Sequence, residues 1–566
     1  MRIPDWIVLG ITLLAIVSYG VYKGRGSKNI RGYLLADKSM KWYTIALSIM
    51  ATQASAVTFT STPGQAYVDG MRFVQFYLGL PIAMVILSVT AVPIFHRLNV
   101  YTAYEYLEHR FDLKTRTLTS LIFLIQRGLA VGITIYAPSL VLSVMLGIDI
   151  RITSLIIGGI VIIYTTWGGV KAVNYTDVQQ LLIISFGMIA AFCVTIYLLP
   201  AGVSFKDALH VAGGMGKLNL VDFSLNFNNR YNIWSGIFGG MFVALAYFGC
   251  DQSQVQRYLT GQSVTQSRLA LLFNGVAKVP MQFFILLLGA MVFVFYQFSA
   301  PPLFFNPVES AKIHASVYGP EYAHLEQEYD AAFQEKSRVL EKYIAAEKTG
   351  EKQQIESVGK ELAVAAMKTD RFRSSAIEVL KKNDASIDPS DTNYIFLSFV
   401  MKYLPVGLVG LIFACIFAAS MSSSSGELSS LATVSVVDVY KRHIRKNESD
   451  KHYLTASRIS MALWGVYGIT FAQYASRLGS LIEAVNILGS LFYGTLLGVF
   501  LLAFYFKWVG GTATFIATFV GEAVVLYCFT FTGIAWLWYN VIGCGVLVIV
   551  AIAVNPFFRS HKDSAV

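Results

Sequence analysis

The stretch Phe417-Ala-Ala-Ser-Met-Ser-Ser-Ser-Ser-Gly-Glu-Leu-Ser-Ser430 concentrates hydroxyls inside an otherwise apolar region. Helical spacing puts Ala419, Ser422 and Ser423 at i, i+3 and i+4, so one carbonyl and two hydroxyls share a face. Neutral oxygens in such an array suit a hard monovalent cation stripped of water, with the remaining ligands drawn from unwound backbone. Ser425, one turn beyond Ser422, extends this face and is a candidate for a second cation site. The alternative use of the same serines is interhelical bonding, worth under about 2 kcal/mol each.

Ionisable residues at membrane depth cost about 2.5–3.5 kcal/mol each on insertion scales and mark pathways. Asp177, in Asn174-Tyr-Thr-Asp-Val-Gln-Gln, is either cation-related or a carboxylate at a helix N-terminus. Arg127 either meets an anionic substrate or snorkels to the interface. Lys278, two residues before Pro280, is an interior candidate of the same kind. Glu427, within the serine face, either pairs with a base or is protonated. No phosphate-cradling loop, zinc spacing or nucleophile elbow stands in the connecting loops, so neither ATP-driven pumping nor an enzyme is indicated.

The elements that must hold these residues follow from composition. The 566 residues are 55% hydrophobic and 14% charged, against about 25% charged in soluble domains. Of the 78 charged residues, 28 fall between Leu303 and Asn393, so the rest of the chain is poorer still. A soluble enzyme is excluded, and a polytopic all-α membrane protein is expected. About thirteen spans are predicted, near 4–22, 42–66, 72–95, 118–142, 150–167, 177–199, 232–250, 269–298, 396–438, 453–474, 480–506, 512–531 and 534–554. The ninth is long enough to include a lead-in segment. Basic residues follow the first apolar stretch rather than precede it, so that stretch is a spanning helix and not a cleaved signal. The five cysteines lie in apolar segments without metal-ligand spacing and are expected as buried small hydrophobes.

The net charge of +10 sits mainly in short gaps between spans, which is the footprint of topology and not of nucleic-acid binding. Lys23, Arg25, Lys28, Arg31, Lys38 and Lys41 in the first gap, with Lys441, Arg442, Arg445, Lys446, Lys451 and Arg458 after span nine, share a face with Arg97, Arg110, Lys114 and Arg116. That face is cytoplasmic, which puts the N-terminus outside and the tail Arg559 to Val566 inside, in a plasma (inner) membrane. Residues 303–393 fall outside as an amphipathic helical hairpin. The organisation reads as a first helix and loop (1–41), a first repeat and the start of a second (42–302), the insertion (303–393), the rest of the second repeat (394–506) and accessory helices (507–566).

Two spans are interrupted. Span two is densely polar from Ser48 to Thr62 and closed by Pro63-Gly64, where backbone should unwind beside a cavity or ligand. Span seven is interrupted at Tyr247-Phe-Gly-Cys-Asp251-Gln252. Paired broken helices five spans apart point to a midplane binding site between two inverted repeats.

With these residues in place the sequence resembles the sodium:solute symporter family, which includes sodium/glucose, iodide, monocarboxylate, multivitamin and sialic acid transporters. The resemblance is carried by Ala51 to Gly70 (ATQASAVTFTSTPGQAYVDG), Thr102 to Asp112 (TAYEYLEHRFD), Trp167 to Gln180 (WGGVKAVNYTDVQQ), Asp251 to Tyr258 (DQSQVQRY) and Gly410 to Tyr440. It implies a LeuT-type core of two inverted five-helix repeats, spans two to six and seven to eleven. It implies a main Na+ site built from the carbonyls of Ala51, Ala54 and Ala419 and the hydroxyls of Ser422 and Ser423. A second sodium site, present in some members, would use Asp177, Ser422 and Ser425, but its last serine is replaced here by Gly426. The implied solute pocket involves Gln53, Ser55, Thr58, Tyr77, Tyr247, Asp251 and Gln252, with Tyr247 where sugar-transporting members place a gating tyrosine. The arginine that holds the carboxylate in sialic acid members aligns with Ala130, one turn from Arg127, and Tyr136 to Leu142 (YAPSLVL) is closer to the monocarboxylate and vitamin branch. The expected function is sodium-coupled import of a small organic acid or sugar by alternating access. The alternative is a transporter-like nutrient sensor that signals through a partner protein.

Overall fold

Without water to bond, backbone at membrane depth must satisfy itself, and apolar stretches become helices. The computed structural model describes residues 1–24, 32, 35–98, 100–385, 387–475 and 479–558, apart from the side chains of residues 21, 23, 24, 164 and 167–172. Among the described residues it is helical, without a β-strand. Nine of those helices are long and apolar enough to cross a membrane, with shorter apolar helices at Ile150–Ile163 and Ser235–Gly249.

Helix α1 (Ile3–Gly24) occupies the first expected span. The second is two helices, α2 (Trp42–Gln53) and α3 (Ala56–Asp69). The break falls at Ala54 (φ −85, ψ 57) and Ser55 (φ −71, ψ 170), so the expectation that Pro63-Gly64 closes the helix is corrected. A proline normally disrupts a helix interior, but here the turn is clamped from both sides. A Cβ on Gly64 would lie 1.9 Å from the Thr392 carbonyl oxygen, and one on Gly289 would lie 2.2 Å from that of Pro63. The third span opens as a 3₁₀ segment, Gly70–Tyr77, before helices Leu80–Val89 and Ala91–Leu98.

Beyond α4 (Leu113–Leu146) comes α5 (Ile150–Tyr197), one uninterrupted helical assignment where two spans were expected. Its halves nevertheless lie at one depth. Gly158 packs on Ile469, whose neighbour Gly468 touches Val131 and Ile135. Ser420 reaches the Thr134 carbonyl, and Ser422, two residues on, bonds to Asp177. Residues 158 and 177 would be about 28 Å apart on a straight helix, so the chain doubles back between them.

The expected interruption of span seven separates α6 (Gly240–Gly249) from α7 (Gln252–Leu259) at Cys250 and Asp251. After α8 (Val264–Phe298), the insertion forms a short helix, Pro307–His314, and a hairpin of α9 (Gly319–Thr349) and α10 (Lys352–Asn383) around a small core of its own. Lead-in helix α11 (Thr392–Tyr403) is split at Leu404-Pro405 from α12 (Leu408–Val434), which carries the serine face. α13 (Asp450–Ala472), α14 (Leu481–Tyr505), α15 (Gly511–Phe531) and α16 (Leu537–Phe558) complete the bundle.

Two ends of the molecule are defined by ion and cap contacts. Asp5 accepts the Gly407 N–H at 2.6 Å, so the start of α1 sits at the start of α12, the end that the insertion leads into. At the far end of α12, Asp438 accepts from Arg116 Nε at 2.7 Å, and Arg116 and Arg442 both pair with Glu108. Arg116 and Arg442, two of the basic residues grouped by the charge count, thus meet at one end. Arg25, Lys28, Arg31 and the tail 559–566 lie outside the described residues. All five cysteines are free and four are buried; Cys193, expected buried, is exposed on the apolar surface of α5.

Candidate ion and solute site

The α2–α3 break releases the carbonyls of residues 51 to 54 from continued helical bonding. That of Gln53 accepts the Thr58 hydroxyl at 3.0 Å, and that of Thr52 accepts the Ser423 hydroxyl of α12 at 3.2 Å. Ser423 Oγ also lies 2.9 Å from the Ala419 carbonyl oxygen, so its one proton has acceptors on both helices. Ala51, Ala54 and Ala419 are fully buried beside this contact, and Ser422 and Ser423 nearly so. The structure therefore brings the broken helix and the serine face together, with neutral oxygens from both.

Ser422 donates to the Asp177 carboxylate. Asp177 is fully buried, and its carboxylate is answered by side chains of three other helices. Its Oδ2 accepts Ser48 Oγ at 2.5 Å and Arg257 Nη1 at 2.5 Å. Ser425 does not join them, since its hydroxyl donates to the Ser422 carbonyl at 3.0 Å. A Cβ on Gly426 would lie 2.5 Å from Arg257 Nη2, so the missing side chain is what gives the guanidinium room. Sequence reasoning quoted Arg257 within DQSQVQRY without assigning it a role. The available signal was an ionisable residue one short helix beyond a break.

A cavity partly open to solvent adjoins this contact. Seven of the expected solute residues line it: Gln53, Ser55, Thr58, Tyr77, Arg127, Tyr247 and Lys278. Ser423 lines it too, so ion oxygens and solute space share a wall, and Glu427, Asn486 and Tyr493 are lining residues that the expected set lacked. Gln53 Nε2 is held by Asn274 Oδ1 at 2.8 Å. Lys278 is 1% exposed, its Nζ has no hydrogen-bond acceptor among the described residues, and it lies 5.7 Å from the centre of the Tyr77 ring.

Arg127 does not snorkel. Its guanidinium is buried and donates to Glu427 Oε1 at 3.0 Å, to the Tyr493 hydroxyl at 2.9 Å and to Asp251. Glu427 therefore pairs with a base, one of its two open readings. Asp251 lies behind Arg127, where its Oδ1 also caps α7 through the Ser253 N–H at 2.9 Å. Gln252 faces away from the cavity, accepting the Ala103 N–H at 3.0 Å and donating to the Tyr101 carbonyl at 2.9 Å. Of the expected solute residues, Asp251 and Gln252 are the two that the geometry withholds from the cavity.

Comparison with known proteins places this architecture. The model of the sodium:solute symporter family matches residues 33–326 and 376–521. The chain belongs to the sodium:solute symporter family. It is an integral membrane protein and a sodium-coupled symporter, with Na+ as the coupling ion. The residues between 326 and 376 that the family model leaves unmatched fall in the α9–α10 hairpin. The sodium-coupled monocarboxylate transporter 1 of Xenopus laevis is 27% identical over 92% of this chain and 71% of that protein. The sodium/sialic acid symporter NanT of Aliivibrio fischeri is 26% identical over 99% of this chain and 94% of that protein. A solved substrate-bound outward-open state of a Na+-coupled sialic acid symporter shares the fold, with a TM-score of 0.75 at 23% identity over 99% of this chain and 98% of that one.

Proposed function

We propose that the protein imports a small organic solute together with one sodium ion, bound between the α2–α3 break and α12. The ligands are the carbonyls of Ala51, Ala54 and Ala419 and the hydroxyls of Ser422 and Ser423. The observation that carries this reading is the Ser423 hydroxyl, which spans from the Ala419 carbonyl to the Thr52 carbonyl at the edge of the solute cavity. Ser422 fits the role because its proton is committed to Asp177, which leaves its oxygen lone pairs for a cation. An ion drawing these two helices together orders Gln53, Ser55 and Thr58 for solute, which is the coupling that alternating access requires.

A single ion is favoured because Arg257 already supplies the cationic partner of Asp177. The second-site role of Asp177 and Ser425 is therefore not carried forward. One sodium crossing 100 mV contributes about 2.3 kcal/mol and a tenfold gradient about 1.4 more, enough for roughly 500-fold accumulation of a solute without net charge. In this reading the core comprises two inverted five-helix repeats among about thirteen spans, with the N-terminus and insertion outside. The relatives named for monocarboxylates and sialic acid favour an organic acid over a sugar, as does the free ammonium of Lys278.

Counterflow of candidate solutes in proteoliposomes, with sodium and with potassium, tests the reading. Sodium-specific exchange is expected. Exchange that ignores the cation, or survives the Ser422→Ala, Ser423→Ala double substitution with its sodium dependence intact, would remove the ion assignment.

A further inference from the structure

The solute cavity holds two opposite charges, each with an atom that the protein leaves unanswered. Lys278 Nζ, on α8, has no acceptor and no carboxylate beside it. Glu427, on α12, is fixed through Oε1 by Arg127 at 3.0 Å, while among the described residues its buried Oε2 has no donor in full hydrogen-bond geometry, the Thr134 hydroxyl being the polar neighbour of this carboxylate. Arg127 is already answered by Glu427 and Asp251 at its two terminal nitrogens, which leaves only its Nε without an acceptor among the described residues. Around the cavity, two cations thus balance two carboxylates, with the unmet groups on different helices.

A buried charge is costly unless it is paired. A monoanion answers Lys278 and leaves the carboxylate excess around Arg127 in place. A neutral sugar offers hydrogen bonds to both groups but compensates neither charge. A molecule carrying one charge of each sign answers both groups.

We propose that the solute is a zwitterion of the amino-acid type, its carboxylate received by Lys278 and its ammonium by Glu427. This rests on the symporter reading of the same cavity and adds the substrate class. The Tyr247 ring, which already faces the Arg127 guanidinium at 5.6 Å, provides an aromatic face suited to the ammonium end. With one sodium per zwitterion, each cycle moves one positive charge inward.

The test is the melting temperature of the purified full-length protein in sodium, with α-, β- and γ-amino acids. Each is matched by the carboxylate lacking its amine and the amine lacking its carboxylate; glucose is included. Zwitterions should stabilise more than either matched half, and uptake of the best one should carry inward current. Lys278→Met should weaken binding of that amino acid about 100-fold while leaving the matched amine unaffected, and Glu427→Gln should weaken it without affecting the matched carboxylate. Equal stabilisation by the carboxylates, the amines or glucose, or none by any zwitterion, overturns the proposal. Stabilisation by sodium alone is the control. If wild type lacks it, the ion reading itself fails; if both variants keep it, they are folded and their solute defects are informative.

Discussion

Arg257 Nη1 meets Asp177 Oδ2 at 2.5 Å in the interior of the bundle, where neither side chain reaches solvent. Ser48, Ser422 and Asn174 close around the pair. Breaking such a pair from one side leaves a stranded charge and costs about 3–5 kcal/mol. Arg257→Met should therefore lower stability in potassium and recover part of it in sodium, since Asp177 then seeks another cation. The dependence of melting temperature on sodium should steepen from one ion in the wild type toward two in the variant. An unchanged slope would mean that the guanidinium is not standing in for an ion.

Gly426 sets the room for that guanidinium. Gly426→Ala places a methyl 2.5 Å from Arg257 Nη2, and overpacking of this kind costs about 1–3 kcal/mol. The loss should shrink when the substitution is made in the Arg257→Met background. A double-mutant cycle on melting temperature reads that coupling, and additive losses would argue against the contact.

Ser423 and Ser422 should not be equivalent. Ser423→Ala removes the hydroxyl between the two helices and should raise the sodium concentration for half-maximal uptake by about tenfold or more. Ser422→Ala should cost stability as well, because Asp177 loses a donor. Uptake against sodium and melting in potassium, measured side by side, separate the two.

Gln252 anchors the segment before helix Ala103–Arg110 rather than touching solute. Gln252→Leu removes the acceptor of the Ala103 N–H and the donor to the Tyr101 carbonyl, at about 1–3 kcal/mol each where buried. The expected result is a lower melting temperature and lower maximal uptake, with the half-saturating solute concentration within twofold of wild type.

The insertion carries a pH-dependent contact. Lys336 of α9 is buried and donates to Gln297 Oε1 of α8 at 3.0 Å, and burial pushes its ammonium down to about 8 from the usual 10.5. The unfolded lysine binds more protons between these values, so stability rises as pH climbs from about 8 to 10.5 and is penalised below 8, by up to about 3 kcal/mol. Lys336→Met should flatten that rise. The difference between the two proteins across a pH series of melting temperatures is the measurement.

The class of protein, the two helix breaks and the serine face were legible in the sequence because each is a local departure from an apolar background. Polar residues at membrane depth are costly wherever they occur, so Gln53, Asp251 and Ser422 to Ser425 marked themselves. The helical hairpin was readable for the converse reason, a dense charged stretch with apolar residues at helical spacing.

What the sequence did not contain is which charge answers which. Arg257 and Asp177 are 80 residues apart, Arg127 and Asp251 are 124 apart, and Arg127 and Glu427 are 300 apart. Local periodicity carries no information over such separations, so snorkelling and ligand binding were equal readings of Arg127, and Pro63-Gly64 was a fair place to end a helix. The sequence by itself determined that neutral oxygens and a few charges lie at membrane depth. The tertiary structure decided that Arg127 and Arg257 are paired with protein carboxylates and that Lys278 is not, because in a low-dielectric interior each charge is defined by the group packed against it.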